Sequence, residues 1–268
     1  MRKIFVPIVS FFVMIHIAVF YYGFTIHNKN EVCGLEREQY KAGGEFFSKQ
    51  IRYPRVKKAY DDKYCKIAEN LKSHNINIEF LNILIAAYKD EGVLELYGKN
   101  TDDAEYRLIK SYPIVKKSGR LGPKKREGDK QVPEGFYYID RFNPQSSYYL
   151  SLGINYPNES DIKKGFGGSD IFIHGSFKSA GCLPVTDDKI KEIYLYALYA
   201  RDNKQVNIPV HIFPFKMNFE NTEKFLNRYR DDELISFWRN LQEGYDIFKE
   251  NQKELVYETG EKGEYVFK

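Results

Sequence analysis

The sequence predicts an α+β protein with a mostly β, mixed-sheet core, helical extensions on both sides of that core and a transmembrane segment at the N-terminus. Three observations predict this class. Many segments between residues 78 and 217 alternate apolar and polar side chains with the period of two that half-buried strands show. Residues 55–73 and 218–249 instead repeat apolar side chains at helical spacing. The first apolar run of the chain is long enough to cross a bilayer as a helix.

Bulk composition limits the possible functions. The 268 residues suffice for one or two domains with a sizeable core. The net charge of +4, from 41 basic and 37 acidic residues, is nearly balanced and argues against nucleic-acid binding as the main task. The three cysteines are Cys33, Cys65 and Cys182. In an exported chain Cys33 and Cys65 could pair and leave Cys182 free, although unpaired thiols are equally allowed.

Residues 1–27 are expected to direct export. Arg2 and Lys3 precede residues 4–24, an apolar run without Asp, Glu, Lys or Arg. This basic flank predicts a cytoplasmic N-terminus with the rest of the chain outside. The segment is either a cleaved signal peptide or an uncleaved anchor, and its length and the absence of a clear small-x-small cleavage site favour the anchor. The expected location is therefore the cell envelope, with the protein held in the inner membrane and its main domain in the periplasm.

Residues 28–77 are expected to form a linker and a helical region. Residues 28–52 are polar, contain Gly43-Gly44 and indicate a linker or irregular arm. Residues 55–73 predict an amphipathic helix that packs on the following domain, because four apolar side chains share one face: Val56, Tyr60, Ile67 and Leu71.

A sheet is expected from residue 78 onward. Residues 80–89 and 93–98 predict the two strands of a hairpin that turns at Asp90-Glu91-Gly92. Further strands are predicted at residues 106–115, 136–140 and 148–152, followed by a glycine-rich approach over residues 156–169.

The segment 116–130 is predicted to be a long basic loop between strands. It carries seven basic and two acidic residues, with three glycines and one proline. Two interpretations stay open: the loop steers a carboxylate-bearing peptide toward a site, or it is a solvated basic surface.

The segment 170–186, DIFIHGSFKSAGCLPVT, concentrates the reactive side chains of the chain. His174 ends a short predicted strand at Gly175, and Cys182 follows on a loop that can bring a thiol back to the imidazole. The thiolate is the nucleophilic form of cysteine, and a nearby imidazole can take its proton and return it to a leaving amine. Gly181 lets the backbone approach closely, so amide N–H groups around Cys182 could hold an oxyanion. The alternative is a buried apolar cysteine beside a satisfied core histidine.

The next elements are predicted to support this loop. Thr186 is a candidate N-cap for a helix that packs on the sheet, with Asp187 and Asp188 in its first turn. Residues 205–215 predict a last strand, and Pro209 and Pro214 suggest that it lies at an edge. His211 within this strand is the rival of His174 as a catalytic base, although its alternation favours a structural role.

The C-terminal part, residues 218–268, is expected to be a helical extension with a loose tail. Helices are predicted at residues 218–230 and 233–249. The second has an apolar stripe that predicts core packing: Leu234, Trp238, Leu241, Tyr245 and Phe248. No metal-ligand cluster is visible in the sequence.

The order I-H-G, a short loop, then S-x-G-C resembles the active-site signature of L,D-transpeptidases of the YkuD type. The short loop and the following LPVTDDKIKEIY are most similar to the YafK-like branch of that family. An upstream block, GDKQVPEGFYYI, and a downstream block, VNIPVHIFPFKMN, extend the resemblance over residues 78–217.

The resemblance implies a catalytic domain at residues 78–217 that acts on peptidoglycan stem peptides, in cell-wall cross-linking or remodelling, without a cofactor. Cys182 would be the nucleophile that accepts the acyl group, and His174 the general base and acid. Gly175 would supply the backbone carbonyl that orients the imidazole, and Ser179 and Gly181 would shape the loop and contact substrate.

The sequence departs from the commonest family pattern after the motif serine and after the cysteine. Ala180 stands where many members have histidine or lysine, and Leu183-Pro184 replaces a pair that often contains arginine or asparagine. Substrate and outcome therefore stay open. An amine acceptor gives a transpeptidase, and water gives a carboxypeptidase or an amidase that releases wall-linked protein. A non-catalytic wall-binding protein, or a thiol hydrolase that uses His211, are the alternatives from other classes.

Overall fold

An eight-stranded mixed sheet forms the centre of the computed structural model, which describes residues 44–268. In chain order the strands are β1 (Leu81–Tyr88), β2 (Val93–Asn100), β3 (Arg107–Pro113), β4 (Gly135–Asn143), β5 (Ser151–Ile154), β6 (Phe172–His174), β7 (Leu183–Pro184) and β8 (Ile208–Phe213). Their spatial order is β3-β2-β1-β8-β4-β5-β6-β7. Strands β1 and β8 are parallel, as are β6 and β7, and the other neighbours are antiparallel.

Six helices and a small hairpin complete the part of the chain that the structure describes. The helices are α1 (Glu45–Gln50), α2 (Pro54–Ser73), α3 (Glu159–Lys163), α4 (Asp187–Asp202), α5 (Phe219–Arg228) and α6 (Asp232–Asn251), with a single 3₁₀ turn at Ile78–Phe80. The hairpin consists of β9 (Tyr257–Thr259) and β10 (Tyr265–Phe267).

The predicted N-terminal segment 1–27, most of the predicted linker and Cys33 lie outside the described residues. Within residues 44–268 no helix is both long and apolar enough to span a membrane. Cys65 is disulfide-bonded, and its predicted partner, Cys33, belongs to the undescribed part of the chain.

Helices cover both faces of the central strands. On β1, Leu84, Ala86 and Tyr88 join a core that includes Trp238 and Phe248 of α6. The alternate side chains of β1 point to the other face, where α4 contacts the strand. Because both faces are covered, β1 is buried along most of its length and departs from simple alternation.

The prediction of an α+β, mixed-sheet core with helical extensions is confirmed, with the elements near the predicted positions. The hairpin at Asp90-Glu91-Gly92 joins β1 to β2, and Thr186 caps α4 by accepting a hydrogen bond from the Lys189 N–H. Two expectations are wrong. Residues 45–50 form α1 instead of a linker, and the tail forms β9 and β10, with Tyr265 buried. The glycine-rich approach contains α3, which the sequence pattern does not predict.

The expectation that residues 205–215 form an edge strand is also wrong, because β8 lies between β1 and β4. Proline has no backbone N–H and therefore cannot donate a hydrogen bond to a neighbouring strand. Pro209 pairs with β4, but the pairing of β8 with β1 begins only at Val210, so Pro209 interrupts no hydrogen bond to β1. The side-chain amide of Gln205 fills the gap: it accepts from the Ile83 N–H and donates to the Ile83 carbonyl, both at 2.8 Å.

This side-chain bridge generates a stability prediction. Gln205→Ala leaves the buried backbone polar groups of Ile83 without partners, and we expect a loss of about 1–3 kcal/mol in the free energy of unfolding. Gln145→Ala is the matched control, since its exposed side chain holds no such bridge. Urea unfolding of both variants is the measurement, and equal stability of the two would refute the bridge.

Candidate active site

Strands β6 and β7 hold the two ends of the loop that separates His174 from Cys182. Ile173 lies beside Leu183 and His174 beside Pro184 in this parallel pair. The Val185 N–H continues the pairing by donating to the His174 carbonyl at 2.9 Å. Cys182 is the residue immediately before β7, so the predicted histidine ends one strand and the predicted cysteine precedes the neighbouring strand at one end of the sheet.

His174 is buried, with one ring nitrogen hydrogen-bonded and the other without a partner among the described residues. Its side chain is 1% exposed, and Nδ1 contacts the carbonyl oxygen of Gly175. Because a carbonyl can only accept, Nδ1 must carry a proton, and in the neutral ring Nε2 then presents a lone pair. Nε2 has no hydrogen-bond partner among residues 44–268. Burial lowers the pKa of His174, partly offset by the Gly175 carbonyl, so the imidazole is neutral near pH 7.

The ring of Tyr148 covers this imidazole. The two ring centroids are 4.5 Å apart, with an angle of 25° between the planes. Tyr148 itself is 41% exposed, so it separates the histidine from solvent on one side. No sequence pattern predicts this contact, because Tyr148 lies 26 residues before His174 and outside any motif.

Gly175 sits where a larger residue would not fit. A Cβ there would lie 2.5 Å from Asp187 Oδ1 and 2.8 Å from the carbonyl oxygen of Tyr148. Asp187 also accepts a hydrogen bond of 2.7 Å from the Ser176 N–H. The first residue of α4 therefore fixes the turn whose carbonyl holds His174. Sequence reasoning predicted Asp187 only as a first-turn charge and missed this role.

Cys182 carries a free, half-buried thiol. Its Sγ lies 3.6 Å from the Asp170 carbonyl oxygen, a weak contact. Burial raises the pKa of Cys182, with smaller opposing effects from the Phe172 backbone and from Lys124. The resting pair is thus a neutral thiol and a neutral imidazole without a mutual hydrogen bond. Such contacts in a free enzyme often tighten only when substrate binds.

Ser179 and Gly181 shape the loop around the thiol. Ser179 Oγ donates to the Cys182 carbonyl at 2.7 Å and accepts from the Cys182 N–H at 3.1 Å. The amide of Cys182 is therefore occupied in this state. Gly181 has a φ of +114°, and a Cβ there would lie 3.0 Å from the Gln131 carbonyl oxygen, which requires glycine.

His211 lies elsewhere in the fold. Its strand, β8, is separated from β6 by β4 and β5, a distance of about 14 Å at the usual strand spacing. Aromatic rings of Phe136, Phe213 and Phe248 surround it, and burial lowers its pKa to about 3. His211 is therefore a neutral core residue, which removes it as the rival base.

A cavity of about 160 Å³ opens beside Cys182. The first part of the basic loop, residues 116–121, supplies one wall, including Lys116, Lys117 and Arg120, and Leu183 adds an apolar contribution. The sequence predicts this loop but leaves its role open. In the structure, the loop and Cys182 line the same cavity.

A buried ion pair holds this loop. Lys89 Nζ donates to the carbonyls of Gly122 and Val132 at 2.7 and 2.8 Å and to Glu134 at 2.8 Å. Glu134 also accepts from the Gly122 N–H and from Trp238 Nε1 of α6. Sequence reasoning missed this pair, because the two residues are 45 positions apart. Among the described residues, no group of three His, Cys, Asp or Glu side chains could hold a metal ion.

Comparison with known proteins places the chain in a family. A sequence model of the YkuD family, the L,D-transpeptidase catalytic domain, matches residues 83–212. The chain is 38% identical over 173 residues to "Putative L,D-transpeptidase YafK" of Escherichia coli (strain K12), which covers 64% of this chain and 68% of that protein. The protein of the same name from Escherichia coli O157:H7 matches equally.

Two solved structures are also similar to parts of the chain. The helical cell shape determining protein Pgp2 from Campylobacter jejuni is 20% identical, with 66% of this chain and 73% of that chain covered and a TM-score of 0.41. Bdellovibrio bacteriovorus Bd1075 is 21% identical, with 65% and 59% covered and a TM-score of 0.40. The family resemblance of the I-H-G and S-x-G-C motifs is confirmed by the family match and by the curated relatives: the chain belongs to the L,D-transpeptidase catalytic domain family.

Proposed function

We propose that this protein is a cysteine acyltransferase that acts on peptidoglycan stem peptides through a thioacyl-enzyme on Cys182. The observation that carries the proposal is the open Nε2 of a neutral, buried imidazole on the strand next to a free cysteine. Family membership supports the substrate class. An exported location, with residues 1–27 as the membrane anchor, follows as part of the same proposal.

In the first step the Cys182 thiol transfers its proton to His174 Nε2 as sulfur attacks the carbonyl of the third stem-peptide residue. The S–C bond forms, and collapse of the tetrahedral intermediate breaks the C–N bond to the terminal D-alanine. His174 returns the proton to the leaving amine. Because the thiol pKa is raised, the thiolate forms during attack and is not stored in the free enzyme.

In the second step an acceptor attacks the thioester and loses a proton to His174, which protonates the departing sulfur. An amine of another stem peptide gives a cross-link and makes the protein a transpeptidase. Water gives a carboxypeptidase, or an amidase if the leaving group belongs to a wall-linked protein. A fold that binds the wall without catalysis is the remaining alternative, and Cys182→Ala separates it from the others.

The neighbouring residues have supporting roles in this proposal. The Gly175 carbonyl holds His174 in the tautomer that leaves Nε2 free. Ser179 braces the Cys182 backbone, and Gly181 lets the loop approach Gln131. The Gly181 N–H donates no hydrogen bond within the described chain, so it is available as an oxyanion donor.

The proposal predicts loss of turnover in Cys182→Ala. With disaccharide-tetrapeptide as substrate, the wild type should release D-alanine and form either cross-linked dimers or tripeptide. Removal of the nucleophile should lower this rate by at least about 10³-fold. Mass spectrometry of the products measures both the rate and the choice of acceptor.

Histidine variants serve as controls for the same reaction. His174→Gln should lose turnover, whereas His74→Gln at the end of α2 and His211→Phe in the core should retain it. Undiminished turnover in Cys182→Ala would exclude a thioacyl-enzyme, whereas absence of turnover in the wild type would favour the wall-binding alternative.

A pH dependence follows from the neutral imidazole. Protonated His174 has no lone pair at Nε2, so kcat/KM should rise with pH through the pKa of His174. Burial lowers that pKa, so the midpoint should lie below the ordinary histidine value of about 6.5. A pH–rate profile of the wild type measures it; an acidic limb with a midpoint above that value would contradict a neutral resting pair.

Gly175→Ala tests the turn that holds the imidazole. The added methyl meets Asp187 and the Tyr148 carbonyl, so the Gly175 carbonyl must shift. We expect a loss of about 10²-fold in kcat/KM. Gly167→Ala is the control, because a Cβ there meets nothing within 4 Å. Equal activity of the two variants, with unchanged circular dichroism, would show that the turn does not position His174.

A further inference from the structure

The cavity beside Cys182 is positively charged, and two of its basic residues have side chains that form no ion pair or hydrogen bond within the described part of the protein. Four of its lining side chains are basic, Lys89, Lys116, Lys117 and Arg120, and Asp90 is its one acidic side chain. Lys89 is neutralised by Glu134, and Lys117 Nζ contacts the Asp90 carbonyl. Lys116 and Arg120 are exposed, and their side chains form no ion pair or hydrogen bond with any residue in the range 44–268.

The backbone that carries these two cations is fixed next to the reactive loop. The Val115 N–H donates to the carbonyl of Pro184 in β7 at 2.9 Å, one residue before Lys116. Ser118 Oγ bonds the Lys130 carbonyl at 2.8 Å, and the Arg120 N–H bonds Gln131 Oε1 at 2.8 Å. Gln131 is also the residue against which Gly181 packs. The basic wall and the cysteine loop are therefore held next to each other through β7 and Gln131. A basic surface that was only solvated would not need these contacts.

We propose that Lys116 and Arg120 form a subsite that binds the C-terminal carboxylate of the peptide whose acyl group Cys182 accepts. This inference rests on the proposed function. In a peptide cleaved before its last residue, the terminal carboxylate lies about one residue length, 3.8 Å, beyond the bond that breaks. One cavity is lined by Cys182 and by both unpaired cations, so a peptide bound at the thiol has its terminus in the same space as Lys116 and Arg120.

The chemistry of the two side chains suits this ligand. A guanidinium can hold a carboxylate through two parallel hydrogen bonds, and an ammonium adds a further point charge. Neither side chain must break an existing ion pair to bind, so the attraction is not offset by the loss of an internal partner. The subsite makes the protein selective for acyl donors that end in a free acid directly after the reacting bond.

The experiment compares two substrates in the full-length protein: disaccharide-tetrapeptide with a free terminal carboxylate, and the same compound with a terminal amide. The variants are Arg120→Gln, Lys116→Gln and the double variant. Arg52→Gln and Lys72→Gln are matched controls on exposed positions away from the cavity. On the acid, we expect each single cavity variant to lose about fivefold in kcat/KM and the double variant more than about tenfold. On the amide, we expect all three variants to lose less than about twofold.

The result that overturns the inference is a double variant that loses the same factor on acid and amide, or that loses nothing on either while the wild type turns over. Failure of the proposed function is visible separately, as absent Cys182-dependent turnover of both substrates by the wild type. In that event, calorimetric titration of Cys182→Ala with the acid and with the amide still tests whether the subsite binds the carboxylate. Tighter binding of the acid than of the amide, abolished by the double substitution, supports it, and equal binding of the two compounds overturns it.

Discussion

The hydrogen bond from His174 Nδ1 to the Gly175 carbonyl is the interaction on which the site depends. It assigns the proton to one ring nitrogen and leaves the other as an open acceptor on the strand beside the cysteine. The bond exists because a turn without a side chain at Gly175 fits between Asp187 and the Tyr148 backbone. Asp187 begins α4, which packs on the sheet, so the core of the protein determines the orientation of the imidazole.

A second constraint shapes the space that substrate would occupy. Lys89 and Glu134 form a buried ion pair whose remaining hydrogen-bonding positions are satisfied by loop backbone and by Trp238. Removing one partner of such a pair typically costs about 3–5 kcal/mol, since the other charge is left buried and unpaired. Trp238 belongs to α6, beyond the family-matched residues 83–212. The C-terminal extension therefore supports the cavity wall and is more than an appended helix.

The sequence predicts those features that rest on local pattern. The hairpin before β2, the helix after Thr186 and the approach of Cys182 to His174 follow from periodicity, turn residues and glycine spacing. It does not predict features that depend on distant contacts. The central position of β8 requires the amide of Gln205 to pair with Ile83, and the role of Gly175 requires Asp187. The hairpin at β9 and β10 is stabilised by packing of Tyr265 on Phe136, more than a hundred residues away.

The most direct test of the account is the tautomer of His174 in the free protein. Nitrogen-15 NMR of the imidazole rings, with His174→Gln used to assign the signal, distinguishes a proton on Nδ1 from one on Nε2. We expect an Nδ1–H tautomer that persists at neutral pH and titrates below the ordinary histidine range. An Nε2–H tautomer, or an imidazolium at neutral pH, would contradict it, because neither form can accept the thiol proton of Cys182.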